Sequence, residues 1–176
     1  MGKPKQNLVF NGQTLLQRAI EAALSSVCRP VIVVLGSNVE SIRPSIESYP
    51  IQIVYNPDWN AGMASSIRAG LMRFQEVQPA ADSVILMLCD QPFVDAALLA
   101  QLVQSKSKNG IAACAYSDTI GPPVLFDKYY FNELLSLKGQ EGAKKLLMKY
   151  SNAVTSVPFL LGYIDIDTVD DFEKLL

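Results

Sequence analysis

The sequence has 176 residues and a mass of 19.3 kDa, which suits one domain across 1–176, and its 49% hydrophobic against 18% charged residues supply a core and argue against disorder. With 15 basic and 17 acidic side chains the net charge is -2, so nothing in the charge balance calls for nucleic acid or an anionic membrane as partner. The absence of histidine excludes Ser-His and Cys-His nucleophiles, histidine metal triads and imidazole proton shuttles, leaving carboxylates, amines, backbone amides or a bound metal for any catalysis.

Met1–Phe10 is polar and basic, without the apolar run of a secretory leader. From Thr14 to Cys28 the residues Leu15, Leu16, Ala19, Ile20, Ala23, Leu24 and Val27 recur at helical spacing and predict the first helix. Val31–Leu35 is a continuous β-branched run, the pattern of a strand buried on both faces. A short helix over Val39–Ser48, limited by Pro44, leads to a strand at Ile51–Tyr55. After the turn-rich Asn56-Pro57-Asp58-Trp59-Asn60, the spacing of Met63, Ile67, Leu71 and Phe74 predicts a helix from about Gly62. Val84–Leu88 is the next buried strand, and it stops at Cys89-Asp90-Gln91-Pro92. Asp95 is placed to cap a helix carrying Leu98, Leu99, Leu102 and Val103, and Ile111–Tyr116 follows as a strand. Gly121-Pro122-Pro123 is expected to be a loop, and Tyr129–Leu137 and Glu141–Tyr150 helices. Ala153–Val157 and Tyr163–Ile166 are expected as short strands, with Thr168 and Asp171 as a capping box for a last helix.

Strands alternating with helices of these lengths predict a three-layer α/β fold, with a mostly parallel sheet covered by helices on both faces. The apolar runs are far shorter than the roughly 20 residues a bilayer requires. Cys28, Cys89 and Cys114 are odd in number and widely spaced, which fits reduced core residues and, with no leader, a cytoplasmic setting.

In an open parallel sheet, ligands sit beyond the carboxyl ends of the strands. Asp90 arrives there directly after a buried strand, and Asp165 and Asp167 share one face near the end of the last. Two carboxylate sites at one rim, completed by phosphate oxygens and water, suit Mg2+; alternatively each carboxylate ends a strand or caps a helix, a reading strongest for Asp167. Lys3 and Lys5 flank Pro4 and offer two cations to a phosphate, although a solvated basic terminus has the same charge pattern. Gly62, Met63 and Ser65 open a helix where backbone and hydroxyl donors can approach a ligand, and an ordinary cap explains much of the same pattern. Trp59, the single tryptophan, lies in the loop just before them, where it walls a pocket or packs on the sheet rim.

Taken together, Met-Gly-Lys-Pro-Lys-Gln at the start, Asn56 to Ser66, Leu88-Cys89-Asp90-Gln91-Pro92, Gly121-Pro122-Pro123, Gly139 to Lys144 and Asp165 to Thr168 resemble the molybdenum-cofactor cytidylyltransferases, within the MobA-like NTP transferases of the nucleotide-diphospho-sugar transferase type. The resemblance covers almost the whole chain. It implies that a nucleoside triphosphate, CTP by family pattern, is attacked at its α-phosphorus by the phosphate of a molybdopterin-type acceptor, releasing pyrophosphate. It further implies Mg2+ held by Asp90, Asp167 and Asp165, Lys5 with Lys3 at the triphosphate, Gly62, Met63 and Ser65 by the base, and Gly121 with Pro122 at the acceptor.

The departures are equally specific. Family members open with a strand and a Leu-Ala-Ala-Gly-x-Ser-x-Arg loop before Met-Gly-x-x-Lys, and this sequence contains neither; Gln140 stands for the usual aspartate and Lys144 for the usual arginine. Either Met1 is internal to a longer reading frame or the chain is a degenerate relative, a non-catalytic nucleotide-binding domain. In this form the absent amides and arginine predict little transferase activity. An absent central strand also predicts free edges on its neighbours and self-association through them. A sugar-nucleotide or other small-phosphate nucleotidyltransferase is the nearest alternative activity.

Overall fold

The structure is a computed structural model that describes residues 5–164 and 166. The chain enters it through a 3-10 turn at Lys5–Asn7 and a small hairpin, β1 (Val9–Phe10) against β2 (Gln13–Thr14). Asn11 and Gly12 turn the hairpin with φ of 50° and 83°, the positive values that let a two-residue turn follow the strand twist. Periodicity alone runs from the terminus straight into the first helix; Asn-Gly is the signal that marks the hairpin.

Helix α1 (Leu15–Ser25) starts on a capping box. The Thr14 hydroxyl accepts the Gln17 N–H at 3.1 Å and the Gln17 side chain accepts the Thr14 N–H at 2.9 Å. There follow β3 (Ile32–Leu35), α2 (Val39–Ile42), which tightens into a 3-10 turn at Arg43–Ser45 around Pro44, β4 (Gln52–Tyr55) and α3 (Met63–Val77). Next come β5 (Ser83–Leu86), α4 (Ala96–Gln104), β6 (Ile111–Tyr116), β7 (Thr119–Asp127), α5 (Phe131–Leu135), α6 (Ala143–Lys149) and β8 (Val154–Pro158). As expected, Asp95 caps α4, its carboxylate accepting the Leu98 N–H at 2.8 Å.

Two expectations need correction. Gly121-Pro122-Pro123 is not a loop but part of β7, which pairs antiparallel with both β5 and β6 and makes the sheet mixed. The ladder tolerates the prolines because its register shifts there: Ala113 faces Val124 while Cys114 faces Gly121, so the residues without an N–H fall in a bulge. Tyr163, Ile164 and Ile166 form no strand. Gly162 N–H binds Phe159 O and Ile164 N–H binds Leu161 O, so turn bonds occupy the backbone groups a ladder would need. The capping box and last helix expected from Thr168 onward lie outside the described residues.

The strands fall into a parallel pair, β3–β4, and a four-stranded sheet ordered β5-β7-β6-β8, with β8 parallel to β6. Helices cover both faces. Leu71 and Phe74 of α3, with Leu134, Leu146 and Leu147 of α5 and α6, pack on Val124 and Phe126; Leu98, Leu99 and Leu102 of α4 pack on the opposite face with Leu125 and Val157. Both layers span the two sheets, since Leu16 and Ile20 of α1 pack on Val33 and Leu35 while Gly70 of α3 lies close against Val34. Yet β3 and β5 are not hydrogen-bonded to each other, and among the described residues no strand lies between them. Among the described residues each therefore keeps one unpaired edge.

Candidate active site

The chemistry expected at the end of β5 is organised by elements far apart in sequence. Cys89 packs against the cluster of Val33 and Leu35, so β5 and β3 run out on the same side of the molecule. Beyond that point the chain turns through Asp90-Gln91-Pro92-Phe93, and α1 and the hairpin hold it there. The Arg18 guanidinium donates to Pro92 O at 3.1 Å and lies 5.1 Å from the centre of the Phe10 ring, which meets Phe93 edge-on at 6.0 Å. Phe10, Leu15 and Ile166 form one small buried cluster beside Phe93, and Ile166 N–H donates to Asp90 O at 2.9 Å.

This packing sets a carboxylate against an ammonium. Lys5 Nζ lies 2.6 Å from Asp90 Oδ2, and Asp90 is only 9% exposed. Its other oxygen, Oδ1, is buried without a hydrogen-bond partner. A buried anionic oxygen with no donor is costly unless a cation or donor completes it, so Asp90 fits a divalent ion in donor chemistry and in its incomplete coordination. Among the described residues no three His, Cys, Asp or Glu side chains converge to make a closed metal site. Asp165, Asp167 and Lys3 lie outside the described residues. Burial, reinforced by the Asp90 charge, pushes the thiol of neighbouring Cys89 up to about 11.

Gly62, Met63 and Ser65 stand at the carboxyl end of β4 rather than of β5. Asn56, buried at the strand end, donates to Ser65 Oγ at 2.8 Å and to Ser66 Oγ at 3.0 Å. Ser65 Oγ also lies 2.8 Å from Gly62 O and 2.9 Å from Asp58 O. The Ser65 hydroxyl thus holds the loop together, while Asp58, Trp59, Asn60, Ala61 and Met63 around it are exposed. Gly62, at φ 103°, lets the backbone pass against Gly139, whose carbonyl accepts the Ala64 N–H at 3.0 Å. That contact joins two of the sequence elements, Asn56 to Ser66 and Gly139 to Lys144. Trp59 packs against Gly36 at the end of β3, where an added Cβ would meet it at 2.5 Å. The base of its side chain packs on the sheet rim, while the residue stays 46% exposed.

On the other side of Asp90 a cavity of about 190 Å³ opens between the β5 end and the β6–β7 hairpin, lined by Asp90, Gln91, Tyr116, Ser117, Thr119 and Tyr163 among others. Gly121 and Pro122 do not line it. Gly121 acts through Tyr116, since a Cβ at 121 would lie 2.4 Å from the Tyr116 hydroxyl. Gln91 is the residue that sequence reasoning misses. It is 7% exposed, with Nε2 donating to Gly162 O at 3.1 Å and Oε1 without a partner.

Comparison with known proteins agrees with this fold. Residues 1–154 match the MobA-like NTP transferase domain. The chain is 28% identical over 190 residues to a protein named nicotine blue oxidoreductase from Paenarthrobacter nicotinovorans, a match spanning 98% of this chain and 88% of that protein. Rv0371c from Mycobacterium tuberculosis H37Rv superposes with a TM-score of 0.87 at 31% identity, covering 100% of this chain and 90% of that one. The manganese complex of Rv0371c superposes at 0.85, with 31% identity over 99% of this chain and 92% of that one. With the family's domain matched over residues 1–154 of its 176, this chain belongs to the MobA-like NTP transferases.

Proposed function

We propose that the chain is a nucleotidyltransferase that moves CMP from CTP to the phosphate of a molybdopterin-type acceptor, with release of pyrophosphate. One observation carries this: at the end of β5, Asp90 is paired with Lys5 through one oxygen and presents the other, buried and unpartnered. A phosphate oxygen of the acceptor attacks the α-phosphorus, the bond from that phosphorus to the bridging oxygen breaks, and pyrophosphate leaves with the electron pair. A phosphate monoester is already anionic near neutral pH, so the histidine-free chain needs no general base for the attack.

The chain's task is positioning and charge. Asp90, with Asp165 and Asp167, holds Mg2+; Lys5 and Lys3 face the triphosphate; Gly62 and Met63, braced by Ser65, lie by the base; Gly121 and Pro122 shape the acceptor side. A bound divalent ion supplies charge neutralisation at the transferring phosphate. Two findings support the set: the manganese complex of a 31% identical relative, and the hydrogen bond that ties Ile166, between Asp165 and Asp167 in sequence, to Asp90 O at 2.9 Å. The likeness to a protein named an oxidoreductase raises a second chemistry, but no Gly-x-Gly-x-x-Gly follows any strand of this sequence.

The test is calorimetric titration of CTP, GTP and UTP with and without Mg2+, followed by pyrophosphate release on adding molybdopterin. Mg2+-dependent binding with CTP strongest is expected. A preference for UTP or GTP moves the chain to another nucleotidyltransferase class, and binding of none of the three favours the non-catalytic alternative.

A further inference from the structure

The cavity beside Asp90 contains a recognition group that nucleotide transfer itself does not use. Gln91 follows the carboxylate directly and lines the same cavity. Its amide orientation is set by chemistry: Gly162 O can only accept, so Nε2 must face it, and Oε1 is left as the free end. That oxygen is buried in a residue 7% exposed and finds no donor in the protein. A fixed, buried acceptor without a partner carries an energetic cost that a ligand donor would relieve. The adjoining wall is also built rather than incidental. A Cβ on Gly162 would lie 2.5 Å from Tyr116 Cδ1 and one on Gly121 2.4 Å from its hydroxyl, so two glycines make room for this ring at the cavity edge.

We propose that Gln91 is the specificity-determining residue for the acceptor, its Oε1 accepting the lactam-ring N–H of a planar heterocycle that stands against Tyr116. The inference rests on the acceptor assignment made under the proposed function and extends it from the phosphate to the organic ring. An acceptor oxygen selects for a donor, and a site built to pair with an N–H rejects analogues lacking it more strongly than a hydrophobic pocket rejects a change of size. Ser117 and Thr119, at the tip of the β6–β7 hairpin, add hydroxyls that donate or accept and so discriminate less.

The probes are 6-hydroxymethylpterin and its 3-methyl derivative, which lacks the ring N–H, with binding followed by pterin fluorescence. The wild-type protein is expected to bind the parent pterin about tenfold or more tightly than the methylated one. Gln91→Met, of similar length but without the carbonyl, is expected to lose the same factor for the parent and to show no further loss on methylation. Equal affinity of wild type for the two pterins, undiminished binding of the parent by Gln91→Met, or no binding of the parent to wild type would each overturn the assignment. The comparison of probes on wild type needs no folded variant. Titrating CTP with Mg2+ into the same protein separates the two levels: CTP binding with a failed pterin arm removes the role of Gln91 alone, whereas absent CTP binding removes the transferase proposal beneath it.

Discussion

Replacing Asp90 by asparagine keeps the volume at the end of β5 and removes the charge, so it asks whether this carboxylate holds a divalent ion. In metal-free protein two effects oppose each other. The charge-assisted bond from Lys5 at 2.6 Å is weakened, a loss of about 1–2 kcal/mol, while the buried Oδ1 no longer carries an uncompensated negative charge. The net change is expected within about 1 kcal/mol, or about 2–4 °C in Tm for a chain of this size. With Mn2+ at about 100 times its dissociation constant, an ion bound only to the folded protein adds about 2.7 kcal/mol. That raises the wild-type Tm by about 5–10 °C. Asp90→Asn is expected to lose nearly all of this increment, measured by differential scanning calorimetry with and without Mn2+. A variant that keeps half or more of the wild-type increment would show that the ion binds elsewhere and would remove the basis of the proposed reaction.

Four other outcomes follow from the structure. Burial alone would raise the Asp127 carboxyl, but the Tyr129 N–H and the Lys106 ammonium 3.0 Å away together hold it below the usual range. Its contribution is therefore full above about pH 4 and is lost as pH falls through the depressed value, so Asp127→Asn should cost about 1–3 kcal/mol at neutral pH and flatten the acid limb of urea-unfolding stability; an unchanged acid limb contradicts this. Burial pushes the Cys114 thiol, which has no exposed surface, up to about 12; at pH 8 an aromatic disulfide reagent should therefore leave Cys114 unlabelled until denaturant is added, and early labelling of Cys114 would refute its burial. Gly62→Ala should cost about 2–4 kcal/mol, because φ is 103° and the new Cβ meets Gly139 O at 2.4 Å, whereas Gly139→Ala, with positive φ but nothing within 4 Å, should cost about 1 kcal/mol; equal losses in thermal unfolding would show that the loop contact is unimportant. The unpaired edges of β3 and β5 should drive concentration-dependent self-association, and light scattering that finds a monodisperse monomer across the accessible range would exclude it.

The candidate site was legible where chemistry lies in contiguous residues. Asp90 after a buried strand, the Asn56 to Ser66 turn and helix start, and Asp95 as a cap could all be read from local pattern. Gln91 could not, because its importance depends on Gly162, 71 positions away, fixing its amide and leaving one oxygen unpaired. Lys5 was legible as a cation offered to a phosphate; its pairing with Asp90, 85 positions away, is a property of the fold.

Composition and order along the chain determined the α/β class, the helical faces and most strands, since hydrophobic period is a local property that solvent exclusion converts directly into secondary structure. Tertiary structure alone decided that Gly121-Pro122-Pro123 runs within a strand and that Tyr163, Ile164 and Ile166 form none. In β7 the pairing with β6 places the two prolines in a bulge where no N–H is required, while the turn after Phe159 uses the backbone groups that a strand would have offered. Whether a segment's peptide groups find ladder partners depends on which distant strand arrives beside it, and that is set by packing of the whole molecule rather than by any window of its sequence.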